Sequence, residues 1–131
     1  MQVVDYELFA VPPRWLLLKL ETDEGIVGWG EPIVQGRLET VRTAVSSLIE
    51  EHLLTENPLR PEYHWRKLYQ SAYFRGGPVL MSALSGIDQA LWDITGRYHG
   101  VPVHQLLGGH VRERMLVHKY LSGERAEKLA E

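Results

Sequence analysis

Cysteine is absent from the 131 residues of this chain. The absence excludes a disulfide scaffold and thiolate catalysis, and it leaves the redox compartment open. An excess of one charge is also lacking, since 17 acidic and 14 basic residues give a formal charge of −3. Nucleic-acid binding depends on a basic surface that such a balance does not supply. We therefore expect no nucleic-acid partner.

Long hydrophobic runs are missing as well. The apolar run Trp15–Leu18 ends at Lys19, far short of a membrane span or a signal-peptide core. We therefore expect no membrane association and a cytoplasmic location. What the chain does have is an ordinary globular composition, 44% hydrophobic and 24% charged. Its length suits one domain with a real core.

The first third of the sequence predicts a three-stranded antiparallel meander. Residues rich in β-formers or alternating in polarity occupy three segments: Val3–Ala10, Arg14–Glu21 and Ile26–Glu31. Pro12-Pro13 ends the first segment, and Thr22–Gly25 has the composition of a tight hairpin turn. Gly28 and Gly30, inside the third strand, predict a bulge or a close backbone approach.

Helical spacing follows Gly36 and predicts three helices. The first begins near Leu38 and is closed by Asn57-Pro58, and the third runs from Pro78 to Gly100. The second opens at Pro61 with the apolar stripe Trp65, Leu68, Tyr69 and Ala72. Gly86 and Gly96 lie inside the third helix and predict tight packing there.

The end of the chain reads as the start of a further unit. After a short apolar turn, Val103–Leu107, the sequence predicts a fourth strand at Met115–Leu121 and the beginning of a helix at Glu124–Glu131. Strand, turn and helix form the first unit of a β/α repeat. We predict a domain at residues 1–112 and a truncated barrel at 113–131, a frayed tail being the alternative.

Residues with catalytic or metal-binding patterns are few. The six histidines show no ligand spacing, and Asp88 and Asp93 fall on different helix faces, which favours structural roles. Arg75–Pro78 could hold an anion at a helix start, although Pro78 removes one amide donor. The tryptophans are expected in a core or interface. We predict no catalytic residue and no metal ligand in this chain.

Four motifs carry a family resemblance: residues 21–31, Tyr73–Pro78, Gly86–Asp93 and Pro102–Gly109. In this order they resemble the N-terminal capping domain of the enolase superfamily. Within it they are most similar to the sugar-acid dehydratase branch of the mandelate racemase group, closest to galactonate dehydratases. The resemblance implies an α+β fold: a three-stranded antiparallel meander, a three-helix bundle and the first strand and partial helix of a truncated β/α barrel.

The resemblance also implies a division of labour. In such enzymes the barrel holds Mg²⁺ through three acidic ligands and supplies the acid and base that remove the α-proton and the β-hydroxide. The capping domain excludes water and selects the substrate. The chain would then be inactive alone, its partners being a sugar acid, the barrel (in the same chain or a partner chain) and further copies in a homo-oligomer.

Two loops select substrate in this family, here Val11–Trp15 and Pro32–Arg37. The resemblance points to Gln35 as the substrate-binding residue of the second loop, with Trp15 and Tyr120 beside it. Arg37 either reaches the same region or forms an ion pair at the helix start. Trp15 could instead only pack the loop. Tyr120 could instead be a buried tyrosine that is hydrogen-bonded to the backbone. Glutamate is usual in galactonate dehydratases where Gln35 stands.

Two functions remain open from the sequence. The first is the specificity-determining cap of a Mg²⁺-dependent sugar-acid dehydratase, present as a fragment. The second is a stand-alone, non-catalytic binding or interaction module derived from such a cap. The first is favoured, because an isolated module would expose an unpaired strand edge at Met115–Leu121.

Overall fold

A computed structural model describes residues 1–118 of the chain, and it confirms the α+β fold expected from the sequence. Three strands come first: β1 (Val3–Val11), β2 (Trp15–Thr22) and β3 (Val27–Gly30). Helices follow: α1 (Leu38–His52), α2 (Pro61–Tyr69), α3 (Pro78–His99) and the short α4 (Val103–Leu106). The sheet order is β1-β2-β3, and both pairs are antiparallel. The predicted meander and three main helices are therefore present.

One face of the sheet packs on the helices. Leu16, Leu18 and Leu20 alternate along β2 and are fully buried, whereas the residues between them face outward and are half-buried. Beneath them, α1 contributes Val41, Val45 and Ile49. α3 supplies the rest of the helical core with Ala83, Leu84, Ile87, Ala90, Leu91 and Ile94. The core is therefore a single layer between the sheet and the helices.

The first helix ends five residues earlier than the sequence predicted. It stops at His52, and the chain turns at Thr55, whose φ of 67° lies in the left-handed region. Two backbone hydrogen bonds explain the turn: the Thr55 amide donates to the Val3 carbonyl, and the Val3 amide donates to the Glu56 carbonyl. Asn57-Pro58 therefore lies in a loop that is attached to the first residue of β1.

The predicted apolar stripe of the second helix is partly wrong. α2 ends at Tyr69, so Ala72 lies beyond it and is exposed, and Trp65 is 36% exposed while its ring stacks on Tyr69. The inward face consists of Pro61, His64 and Leu68. On the buried face, His64 thus takes the place that the prediction gave to its neighbour Trp65.

The third helix matches the prediction at both ends. It starts at Pro78 and ends at His99, and Gly100 follows as a left-handed C-cap with a φ of 67°. Gly96 packs against the returning chain, because a Cβ there would lie 2.9 Å from the Val101 carbonyl oxygen.

The predicted fourth strand lies largely outside the described residues. Its described part, residues 115–118, forms no strand, and Met115, Leu116 and Val117 are exposed. The predicted turn and the helix at 124–131 also lie outside residues 1–118, so the domain boundary at 112 stays a prediction. No helix within residues 1–118 is both long enough and apolar enough to cross a membrane.

Candidate functional site

The close approach predicted for Gly28 and Gly30 is a contact between β3 and α3. A Cβ on Gly28 would lie 2.2 Å from the Ala90 carbonyl oxygen, so only glycine fits. One turn earlier in α3, a Cβ on Gly86 would lie 2.6 Å from the ring of Pro32. These contacts fix the direction in which the chain leaves β3.

Two polar side chains of α3 bind the free edge of β3. Asp93 Oδ2 accepts a hydrogen bond from the Trp29 amide at 3.0 Å, and Gln89 Oε1 accepts one from the Glu31 amide at 2.8 Å. Asp93 also pairs with Arg97 at 3.0 Å. Asp93 therefore has the structural role expected from its position. Half of the motif Gly86–Asp93 thus holds the end of β3 and the loop that follows, through Gly86, Gln89, Ala90 and Asp93.

The loop after β3, residues 31–37, is held by the first turns of α3. Ser82 Oγ donates to the Ile33 carbonyl at 2.8 Å, and the Arg37 amide donates to the Val34 carbonyl at 3.0 Å. Gly36 has a φ of 76°, and the chain then enters α1 at Leu38. The first part of the second predicted substrate loop is thus anchored to α3, and its second part is closed by a turn at residues 34–37.

The loop between β1 and β2 reaches the same end of the domain. The Val11–Trp15 pair closes the β1–β2 ladder, and the Pro12-Pro13 bond in the loop is cis. A shallow groove of about 330 Å³ separates this loop from the start of α1. It is lined by Pro13, Arg14, Gly36, Arg37, Leu38, Glu39 and Thr40. The two loops that sequence resemblance placed near the substrate therefore lie on opposite sides of one groove.

The groove has a positive character. Arg14 and Arg37 both line it and are exposed. Its one carboxylate, that of Glu39, is 3.3 Å from the Arg42 guanidinium, which partly neutralises it. Among residues 1–118, neither Arg14 nor Arg37 has a carboxylate within 4 Å, so the helix-start ion pair considered for Arg37 does not form there. Two guanidinium groups are left to meet an anion.

The three predicted site residues have different outcomes. Trp15 is 39% exposed, and the Arg14 guanidinium carbon lies 5.3 Å from its ring centroid, so the ring packs on the groove's arginine. Gln35 is exposed beside Gly36, and its side chain makes no hydrogen bond within residues 1–118. Tyr120 lies outside the described residues. Sequence reasoning missed Arg14, whose signal was a basic residue directly after Pro12-Pro13.

Other candidate sites are structural. The guanidinium of Arg75, considered for anion binding, donates through Nε to the Ala72 carbonyl at 3.2 Å. Burial raises the pKa of Asp88, and its hydrogen bond with Trp92 opposes the shift. Within the described residues, no three histidine or acidic side chains come together in a way that could hold a metal ion. The residues of 1–118 thus do not fit a Mg²⁺ site.

His64 is the one fully buried histidine among these residues. Its Nε2 lies 2.7 Å from the Asn57 carbonyl, and its Nδ1 has no hydrogen-bond partner in residues 1–118. Burial lowers the pKa of His64, partly offset by the hydrogen bond to Asn57 and by the nearby Glu56. A neutral imidazole that donates to Asn57 therefore supports the loop after α1.

The family model of the mandelate racemase/muconate lactonizing enzyme N-terminal domain matches residues 12–108. The chain belongs to this family. It is 49% identical over 129 residues to D-galactonate dehydratase from Pectobacterium atrosepticum, covering 98% of this chain and 34% of that protein. It is 50% identical over 131 residues to D-galactonate dehydratase from Klebsiella pneumoniae, covering 99% and 34%.

Solved structures agree with the fold. An enolase from Pantoea ananatis with bound D-gluconate and Mg superposes with a TM-score of 0.79 at 36% identity, covering 85% of this chain and 28% of that one. A mandelate racemase/muconate lactonizing enzyme from Sulfitobacter superposes with a TM-score of 0.76 at 34% identity, covering 86% and 31%. The chain spans about a third of the length of the D-galactonate dehydratases it matches.

Proposed function

We propose that this chain is the substrate-selecting cap of a sugar-acid dehydratase of the galactonate dehydratase type. The groove between residues 11–15 and the start of α1 carries the proposal, because both loops border it and it is lined by two arginines that form no ion pair within residues 1–118. D-Galactonate dehydratases of similar sequence support the substrate class. In the whole protein, this end of the cap would close over the mouth of a β/α barrel and exclude water.

The side chains of the groove suit a polyhydroxylated anion. The planar guanidinium groups of Arg14 and Arg37 can each donate two parallel hydrogen bonds to a carboxylate or to paired hydroxyls. Gln35 does not line the groove but precedes its lining residue Gly36. Its side-chain amide both donates and accepts, so it can bind a sugar hydroxyl in either role. Trp15 would then wall the pocket through the ring that packs on Arg14. Tyr120 remains a proposed contact of the same substrate.

The chemical steps are assigned to the barrel. Mg²⁺, bound there, would supply Lewis-acid stabilisation of charge next to the substrate carboxylate. The described residues of this chain contain no cluster of histidine and acidic side chains that could hold such an ion, and their part is to bind, orient and enclose the substrate. The sugar acid, the barrel and further copies of the protein in a homo-oligomer are the proposed partners, and a cytoplasmic location stays a prediction.

The test is the dehydration of sugar acids by the full-length protein. We expect conversion of D-galactonate to a 2-oxo acid, measured as its semicarbazone, with Mg²⁺ present and none with EDTA. The 131-residue chain is the matched control and should be inactive. Turnover by neither preparation across a panel of sugar acids would reject the proposal and favour a non-catalytic module.

A further inference from the structure

A cavity of about 200 Å³ lies between the second half of α1, residues 68–76 and the first turns of α3. We call it the α1 cavity. It shares no lining residue with the groove of the proposed substrate site. Leu68 and Leu84 are buried and form its floor, whereas Leu80 and Met81 are 41% and 36% exposed and lie at its rim. The cavity is therefore apolar at its floor and reaches solvent at its rim.

The size of the α1 cavity limits its occupant to a small molecule. A cavity of ~150 Å³ with apolar walls takes up benzene, so the α1 cavity has room for an aromatic ring with a short polar substituent. A nucleotide is too large for it. A sugar acid is also a poor fit, because its hydroxyl groups would face leucine side chains that offer no hydrogen bonds. We therefore expect an occupant with an apolar body.

Most polar groups in the lining are already engaged. Ser47 Oγ donates to Glu51 Oε1 at 2.8 Å, and Glu51 Oε2 lies 3.8 Å from His52 Nε2. The Glu51 side chain is 64% exposed, so water and Ser47 together solvate its charge. Ser71 Oγ donates to the Leu68 carbonyl at 2.8 Å. None of these groups requires a ligand as its partner.

Arg75 is the exception among the polar lining residues. Its Nε donates to the Ala72 carbonyl at 3.2 Å, the structural contact described above, and this bond holds the guanidinium beside the cavity. Within residues 1–118, its two terminal nitrogens donate no hydrogen bond and meet no carboxylate within 4 Å. A guanidinium group binds a carboxylate through two parallel hydrogen bonds. The free cation and the apolar floor together indicate an anion with an apolar body.

We propose that the α1 cavity binds a small monocarboxylate with an aromatic or aliphatic body. Its carboxylate would pair with the terminal nitrogens of Arg75, and its body would lie on Leu68 and Leu84. Phe74, which lines the cavity and is 84% exposed, would cover this body and lose contact with water. Apolar walls with few polar groups, one of them a charged side chain, are typical of a small-molecule site. The inference does not depend on the proposed function, because it uses no residue of the groove.

Fluorine NMR with 4-fluorophenylacetate as the probe tests the site in the full-length protein. We expect the probe to bind with a Kd of about 1 mM or lower, a range that suits a ligand of this size. The matched control probe is 4-fluorophenylacetamide, which has a similar shape and no charge. It should bind at least about tenfold more weakly, because the charge-assisted hydrogen bonds to Arg75 are lost.

Two variants act on the α1 cavity at different residues. Arg75→Gln removes the guanidinium and Leu80→Glu adds a carboxylate at the rim, so each should weaken probe binding about tenfold or more. Both residues are exposed, and circular dichroism checks that each variant is folded. Arg66→Gln, at an exposed arginine of α2 outside the lining, is the matched control and should stay within about twofold of wild type.

Three results would overturn the inference: no binding detected at about 20 mM probe, equal binding of the acid and the amide, or unchanged binding in Arg75→Gln. Loss of binding in Arg14→Ala, with Arg75→Gln unaffected, would assign the probe to the groove and also overturn it. Probe binding that follows Arg75 in a protein that dehydrates no sugar acid would support the inference and reject the proposed function alone.

Discussion

Gly30 of β3 packs directly on Gly86 of α3: a Cβ built on Gly30 would lie 1.9 Å from the Gly86 carbonyl oxygen. No side chain can occupy that space without moving the strand away from the helix. Pro32 packs on the other side of Gly86, so the same contact sets the start of the loop at residues 31–37. The shape of the groove thus depends on a glycine pair in the core.

Gly30→Ala should destabilise the fold by about 3 kcal/mol, since an added methyl group in a packed core forces backbone shifts. The matched control is Gly36→Ala. Gly36 has a φ of 76° but no atom within 4 Å of its Cβ position, so only backbone strain of about 1 kcal/mol is expected there. Urea unfolding followed by circular dichroism measures both. Equal losses in the two variants would contradict the packing account.

Asp93→Ala should cost about 1 kcal/mol, because it removes the charge-assisted acceptor of the Trp29 amide at the edge of β3. Arg97→Ala is the control. It removes only the exposed ion pair with Asp93 and should cost less than about 0.5 kcal/mol. The free energies of unfolding compare the two. A cost for Arg97→Ala as large as that for Asp93→Ala would show that the ion pair, and not the strand edge, carries the effect.

His64 should make stability fall in mild acid. Burial lowers its pKa in the folded chain, so below about pH 6.5 the unfolded chain takes up a proton that the folded chain refuses. The free energy of unfolding is then unaffected by His64 above that pH. Below it, the free energy declines by at most about 1.4 kcal/mol per pH unit. Arg60, Lys67 and Glu56 are the charged groups that act on the ring.

Unfolding in urea between pH 7.5 and 5.5 measures the His64 effect. His64→Gln keeps an amide donor for the Asn57 carbonyl and should flatten the decline, while His104→Gln, at an exposed histidine of α4, should leave it unchanged. The pKa of Glu56 is lowered by its bond to Lys67, so its own contribution is lost only below its usual range and outside this window. An unchanged decline in His64→Gln would contradict the assignment.

Arg14→Ala in the full-length protein should lower kcat/KM for D-galactonate by about 10-fold to 100-fold, the loss expected for a charge-assisted hydrogen bond to an anion. Arg97→Ala, an exposed arginine on the last turn of α3, should stay within twofold of wild type. Steady-state kinetics measures both. Equal values for the two variants would exclude Arg14 from the substrate site.

Local patterns predicted most of the fold. Alternating leucines gave β2, and the glycines at 28 and 30 were expected to mark a close approach, which is their contact with α3. The predicted end of α1 was wrong, because the real end depends on backbone hydrogen bonds of Thr55 and Glu56 with Val3. Val3 lies more than fifty residues away in the chain, and no local sequence signal encodes such a pairing. Burial of His64 was missed for a similar reason, since the loop that covers it is held by β1.

The groove was predictable only in part. The two loops were expected from family resemblance, but Arg14 and Arg37 meet there only because the sheet places the β1–β2 loop beside the start of α1. Which residues of a loop line a groove depends on that tertiary contact. Gln35 and Trp15 lie within the two loops, and their contact with substrate stays a prediction.

The size of the native polypeptide tests the central claim most directly. An antibody raised to this chain would detect it on an immunoblot of the source cells. A cap that belongs to a dehydratase predicts a band at roughly three times the 15.0 kDa of this chain, since the chain covers 34% of the D-galactonate dehydratase from Pectobacterium atrosepticum. A sole band at 15.0 kDa would contradict the account of a single-chain enzyme.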